Sequence, residues 1–116
     1  MMRYLKWALC CGLMGITLPA LASEKPIRFW NLTAETIAEL YLAPTGTSNF
    51  GPNQCLNDKD KTVETDEMLI VKDIKPGKYD LKIKDVSGRS CLIKSVTVKA
   101  HETFSLSEKD LKDCTK

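Results

Sequence analysis

A small all-β sandwich is the fold class that this sequence predicts, on three observations. Short apolar runs recur along the chain with turn-forming residues between them. One of these runs, residues 79–85, alternates strictly: Tyr79, Leu81 and Ile83 face one way, Asp80, Lys82 and Lys84 the other. The clearest helical signal is a capped turn close to the C-terminus. A period of two gives a strand one buried and one wet face, and several such strands at this spacing fold as two packed sheets.

The elements follow in order. Ile27 and Phe29 alternate with Arg28, and Trp30 and Leu32 extend this first strand. Residues 36–43 form the second, with Ala38, Leu40 and Leu42 on one face and Ile37, Glu39 and Tyr41 on the other. The connection Thr33-Ala34-Glu35 is short, which predicts a hairpin between the two. A helix over residues 34–42 is the competing reading, since Ala, Glu and Leu favour helix, but the Tyr-Leu-Ala-Pro ending points to strand. Residues 44–66 are polar and carry Pro44, Gly46, Gly51, Pro52, Asn53 and Asn57. A loop longer than about 12–15 residues in a small domain is usually functional or mobile.

Residues 68–71 form the third strand, and Lys75-Pro76-Gly77-Lys78 a turn in which Pro fixes φ and Gly accepts a positive value. The alternating strand 79–85 then enters the three-residue loop Val86-Ser87-Gly88, with Gly88 left-handed. That register pairs Asp85 with Arg89, Ile83 with Cys91 and Leu81 with Ile93, so Cys91 and Ile93 turn inward. Val96 and Val98 are out of phase with them, which a β-bulge near Lys94-Ser95 explains. Residues 103–106 form the last strand, and Ser107 caps a final turn over 108–111. The expected core is Ile27, Phe29, Leu40, Leu42, Leu69, Val71, Tyr79, Leu81, Ile83, Ile93, Val96, Val98 and Phe104.

Residues 1–22 stand apart from this domain and read as a signal peptide. Arg3 and Lys6 open it, residues 7–18 are almost wholly apolar, and Ala20-Leu21-Ala22 is a small-x-small cleavage site. The apolar run is short of the roughly 20 residues a spanning helix needs, an uncleaved anchor being the competing reading. Arg3 stands alone, so there is no twin-arginine signal. Cys10 and Cys11 lie inside the apolar run, where no lipoprotein box precedes them. The expected organisation is a signal peptide over 1–22 and one domain over 23–116, periplasmic or secreted.

The whole chain has 116 residues, 43% hydrophobic and 28% charged, too short for a barrel enzyme or a full dinucleotide-binding fold and too apolar for disorder. Its net charge of +2 falls to zero when Arg3 and Lys6 leave with the signal peptide. A neutral domain offers no electrostatic case for nucleic acid, or for a membrane surface after cleavage.

Cleavage leaves Cys55, Cys91 and Cys114, and an exported chain is expected to pair its cysteines. The inward register of Cys91, and the need to hold a polar C-terminal segment whose one large apolar residue is Leu111, favour Cys91 with Cys114. Cys55 with either of them is the alternative. On the favoured pairing Cys55 is a spare thiol, exposed beside an acidic loop.

Several stretches together resemble the opening and middle of a group of small exported bacterial β-sandwich proteins of uncharacterised function. They are Ile27-Arg28-Phe29-Trp30-Asn31-Leu32-Thr33, Ile37-Ala38-Glu39-Leu40-Tyr41-Leu42-Ala43-Pro44, Asn49-Phe50-Gly51-Pro52-Asn53-Gln54, Pro76-Gly77-Lys78-Tyr79-Asp80-Leu81 and Ser87-Gly88-Arg89. The group usually has Trp where this chain has Phe50. The resemblance implies a secreted β-sandwich and carries no catalytic residues. The Pro-Gly-x-Tyr strand is also similar to transthyretin-type sandwiches, so the expected class is a small immunoglobulin-like or transthyretin-like β-sandwich.

Candidate chemistry is sparse. Residues 57–67 hold Asp58, Asp60, Glu64, Asp66 and Glu67, and calcium takes six to eight oxygen ligands, often from loop carboxylates. Asp58-x-Asp60 opens like an EF-hand loop. The sixth position is then Val63 rather than Gly and the twelfth Leu69 rather than Glu, and Lys59 and Lys61 intervene. A solvated charged loop is the plainer reading.

His101 is the only histidine and sits in a turn, so it supplies at most one metal ligand. Ser90, Ser95 and Ser105 lack a glycine-flanked nucleophile context, so an enzyme is not expected. Asn31-Leu32-Thr33 matches a glycosylation acceptor by chance, within a strand. Trp30, Tyr41 and Phe50 either line a recognition surface or pack in the ordinary way.

The expected function is an exported, non-enzymatic binding or interaction module. It would use loop 44–66 to contact an envelope protein or small ligand, without a cofactor. The alternative is a structural protein that binds calcium or another cation through residues 57–67.

Overall fold

Six strands form in the order the apolar runs predict. A computed structural model describes residues 25–116, and the signal peptide expected over 1–22 lies outside them. The strands are β1 (Arg28–Leu32), β2 (Ile37–Pro44), β3 (Met68–Ile70), β4 (Gly77–Asp85), β5 (Ser90–Val98) and β6 (Thr103–Ser107). They make two three-stranded sheets, β3-β1-β6 and β2-β4-β5, packed as a small β-sandwich. Among the described residues no helix is long and apolar enough to cross a membrane.

The hairpin β4–β5 has the register read from the sequence, with Ile83 opposite Cys91 and Leu81 opposite Ile93. Gly88 is left-handed at φ 93°, and the N–H of Asp85 donates to the carbonyl of Arg89 at 2.9 Å. The bulge lies at Lys94 and Ser95, which together oppose Asp80; Ser95 has φ 60°. Asp80 corrects one expectation. Alternation placed it on the wet face, but it is only 7% exposed. Its carboxylate fills the gap the bulge opens, accepting from the N–H of Ser95 at 3.0 Å and the hydroxyl of Thr45 at 3.2 Å. The Ser95 N–H foremost, with Gly46 and Thr45 and against the pull of burial, holds the Asp80 carboxyl below its ordinary range.

β1 and β2 do not form the expected hairpin. β1 pairs with β3 antiparallel and with β6 in parallel, whereas β2 pairs with β4. The cause is the side chain of Asn31, which is fully buried. Its carbonyl oxygen accepts from the N–H and hydroxyl of Thr33, at 2.9 and 2.7 Å. Its amide donates to the carbonyls of Glu35 and Val63, at 3.0 and 2.8 Å. This knot bends the chain out of one sheet and delivers it to the other. All four contacts give Asn31 a structural role, whatever its place in an acceptor pattern.

The core forms where the two inner faces meet. Phe29 packs on Phe104 with ring centroids 5.5 Å apart, and Leu40, Leu42, Leu69, Val71, Leu81, Ile83, Ile93 and Val98 are buried as expected. Ile27, Tyr79 and Val96 are half-buried against them. The core also takes Ile37, Ala43, Cys55, Val63 and Leu106, which the sequence reading left out. Ile37 joins because β2 carries a register shift between Ile37 and Glu39, which brings it onto the face of Leu40.

Cys91 and Cys114 form a disulfide with S–S 2.06 Å. Residues before and after Cys114 lie along the outer edge of β5. Ser90 and Thr115 exchange two hydrogen bonds of 2.8 Å, and the Leu92 N–H donates to the carbonyl of Lys112 at 3.1 Å. Closing a 23-residue separation stabilises by about 3 kcal/mol in the chain-entropy model. The double variant Cys91→Ala/Cys114→Ala is therefore expected to unfold about 3 kcal/mol more easily in urea. Without residues 1–22, the wild-type chain is expected to react with a thiol reagent at one site only, Cys55, and only once unfolded.

Candidate functional site

The chain treats the two lateral edges of the sandwich differently. On one side, where β2 and β3 are the edge strands, residues 44–66 satisfy the outward backbone groups with turns and side chains. Ile37 and Val63 exchange two hydrogen bonds, at 2.9 and 2.8 Å. The side-chain oxygen of Asn53 accepts from the Leu40 N–H at 3.0 Å, its amide reaches the Ala38 carbonyl at 3.4 Å, and the Gly51 N–H donates to the Leu42 carbonyl at 3.0 Å. Just after β3, the Gln54 carboxamide both accepts from the N–H of Lys72 and donates to its carbonyl, each at 3.0 Å. Asn57 donates to the Ile70 carbonyl at 3.0 Å. These carboxamides do the work of a neighbouring strand, so this edge offers no template for pairing.

The 3-10 helix Gln54–Asn57 that carries them drops Cys55 between the sheets. Cys55 is 0% exposed, and burial pushes its thiol up to about 12. The expectation of an exposed spare thiol is therefore corrected: a thiol is reactive as thiolate, and this one is buried and protonated.

The five acids of residues 57–67 are not brought together. Asp58 accepts from the N–H of Asp60 at 2.9 Å, Glu67 from the N–H of Glu64 at 2.7 Å, and Asp66 from the indole N–H of Trp30 at 3.0 Å. Lys61 and Asp66 take positive φ, at 61° and 70°, in the turns these contacts hold. Among the described residues no three His, Cys, Asp or Glu side chains converge as a metal site would require.

The expected aromatic group is likewise divided. Trp30 lies on the outer face of β1, beside Met68 in register, while Tyr41 and Phe50 flank Lys82 of the other sheet. The ammonium of Lys82 sits 4.6 Å from the Phe50 ring centroid and 5.6 Å from that of Tyr41. Phe50 thus serves as a cation–π partner of Lys82. His101 stands in the turn between β5 and β6 with φ 62°, its Nδ1 2.7 Å from the Lys25 carbonyl oxygen.

The opposite lateral side, between β5 and β6, is framed rather than filled. The turn 99–102 joins the two strands at one end. At the other, the 3-10 helix Glu108–Asp110 follows β6 and the chain crosses back to the edge of β5. Within this frame lies a cleft of about 690 Å³. β5 lines it with Leu92, Ile93, Lys94 and Val96, and β6 with Ser105 and Leu106. The closing segment adds Lys109, Asp110, Lys112 and Asp113. A second depression of about 290 Å³, between residues 49–54 and 72–75, falls below the usual 300–1,000 Å³ of ligand sites.

Polar contacts fix the segment that borders the cleft. The Asp110 carboxylate accepts from the N–H of Ser107 at 2.8 Å and from its hydroxyl at 2.9 Å, a capping box. Those bonds keep its carboxyl below the ordinary range. Behind it, Arg89 bonds the carboxylates of Asp85 and Glu108, and Glu108 also accepts from the Ala34 N–H at 2.9 Å. The hairpin loop, the end of β6 and the bend after β1 are thus tied at one corner. Sequence reading missed the cleft because two edge strands and a returning tail build it, and none of its residues is unusual alone. Cys55 and Val63, apolar residues in a largely polar stretch, were the available sign that residues 44–66 pack inward.

Comparison with protein families, with curated proteins and with solved structures finds no match for this chain.

Proposed function

We propose that this is an exported, non-enzymatic binding module whose recognition site is the cleft between β5 and β6. The observation that carries the reading is the asymmetry of the edges. Three carboxamide side chains and several turns cap the β2 and β3 side, while the β5 and β6 side presents an open cleft of about 690 Å³ lined by both apolar and charged groups. A cleft of that size with a few polar groups around apolar walls is what small ligands and peptide segments use. The disulfide and the signal-like leader support export to the periplasm or beyond. The site therefore moves from the 44–66 loop, which seals an edge, to the opposite side of the sandwich.

The test is affinity capture from envelope extract with the mature chain, read by mass spectrometry, comparing three proteins. Val96→Trp fills the cleft; Asp58→Asn/Asp60→Asn/Asp66→Asn neutralises the loop. Proteins retained by wild type and by the triple variant but lost by Val96→Trp support the reading, provided Val96→Trp melts cooperatively. Retention by Val96→Trp with loss by the triple variant overturns it in favour of the loop. Calcium is expected to leave the melting midpoint unchanged, whereas a cation that binds the native state would raise it by mass action.

A further inference from the structure

We infer that the cleft receives an extended peptide segment rich in carboxylates, which adds to β6 as a fourth strand of its sheet. This rests on the cleft being the recognition site. The first ground is the phase of β6. In its parallel pairing with β1, Arg28 stands opposite Thr103 and donates to the carbonyl of Glu102 at 3.2 Å. In such a ladder alternate residues bond the neighbour, so Glu102, Phe104 and Leu106 turn their backbone groups to β1. Thr103, Ser105 and Ser107 turn theirs away from β1, on the side where Ser105 lines the cleft. The Ser107 N–H is capped by Asp110, whereas among the described residues β6 has no strand beside Thr103 and Ser105 on that side. This is the row of unpaired donors and acceptors on which strand addition depends.

The second ground is internal precedent. The chain's own tail already adds to the facing edge of β5, at Ser90 and Leu92. It stops there, and Lys94, next in the same outward phase, lies in the cleft wall. An extended segment therefore fits against these edges, and the protein supplies one for only part of their length.

The third ground is charge. Lys94, Lys109 and Lys112 border the cleft against Asp110 and Asp113, and the Asp110 carboxylate is turned onto Ser107. Every second side chain of an added strand would point toward Ile93, Val96 and Leu106, and the others would pass the lysines. The fitting segment thus alternates apolar residues with Asp or Glu.

The probe is a capped peptide of alternating Val and Glu, with the Val–Lys peptide as its counterpart, titrated to about 1 mM, the weak end of useful affinity. Amide shifts of the ¹⁵N-labelled protein are recorded at low salt. Shifts centred on Thr103, Ser105 and Lys94, with the Ser105 amide newly protected from exchange, are expected for the acidic peptide only. Ser105→Pro removes one outward donor while keeping the bonds to β1, as edge prolines do, and is expected to weaken binding about fivefold or more. Lys94→Gln/Lys109→Gln/Lys112→Gln is expected to weaken it about tenfold and flatten its salt dependence. No binding of the acidic peptide, equal binding of the lysine peptide, or shifts elsewhere overturns the inference. Cleft-dependent capture together with any of these outcomes leaves the recognition site standing with a different occupant. Capture unaffected by Val96→Trp removes both.

Discussion

Asp85→Ala is expected to destabilise the protein by about 3–5 kcal/mol, because it removes one partner of a buried ion pair and leaves several donors unpaired. Asp85 is 2% exposed. One carboxylate oxygen accepts from the N–H and hydroxyl of Ser87, at 3.0 and 2.6 Å, and from the N–H of Arg89 at 3.1 Å. The other takes the Arg89 side chain at 2.9 Å. Burial opposes ionisation, but these bonds outweigh it and the carboxyl is held below its ordinary range. A depressed carboxyl stabilises the fold above the unfolded pKa of about 4, and that contribution is lost as pH falls through the lower native value. Urea midpoints measured from pH 7 downward are therefore expected to fall below about pH 4 in wild type. The fall is expected to be shallower in Asp85→Ala. A loss under about 1 kcal/mol at pH 7 would mean that the hairpin loop does not depend on this carboxylate.

Asn31→Ala is expected to cost about 3 kcal/mol, measured in the same way, since it strips four hydrogen bonds from a site with no access to water. Asn31→Asp keeps the acceptor for Thr33 but sets a carboxylate against the carbonyls of Glu35 and Val63. It is expected to be at least as damaging. Thr33→Val removes only the hydroxyl contacts and is expected to cost about 1 kcal/mol. Equal effects at Asn31 and Thr33 would show that the bend between the sheets is held by something other than the Asn31 amide.

The β4–β5 hairpin was legible because local chemistry decides it. Period-two alternation fixes the face, Gly88 fixes the loop, and the out-of-phase pair Val96 and Val98 betrays the bulge. The disulfide was the favoured pairing, with Cys55 left as an alternative partner, because the register turned Cys91 inward and the polar C-terminal segment needed an anchor. Pairing between distant strands was not legible. A short connection such as 33–36 suits a hairpin or a crossing between sheets, and the choice lies with Asn31 reaching Val63, far along the chain. Asp80 read as exposed because alternation cannot register the extra residue on the facing strand. Loop 44–66 read as a contact surface because Asn53, Gln54 and Asn57 are also turn formers, and only tertiary placement turns them into strand caps. The five acids of residues 57–67 read as a possible ligand set because spacing along the chain says nothing of which backbone N–H each carboxylate meets.

The asymmetry of the two edges underlies both the proposed site and its proposed occupant, and amide hydrogen exchange on the free protein measures it directly. The Leu40 and Lys72 amides, held by Asn53 and Gln54 at 3.0 Å, are expected to exchange slowly, like those inside the sheets. Those of Thr103 and Ser105, on the outward side of β6, are expected to exchange at close to the rate of an unstructured chain. Slow exchange at Thr103 and Ser105 in the monomer would contradict an open edge, as would exchange at Leu40 and Lys72 as fast as theirs.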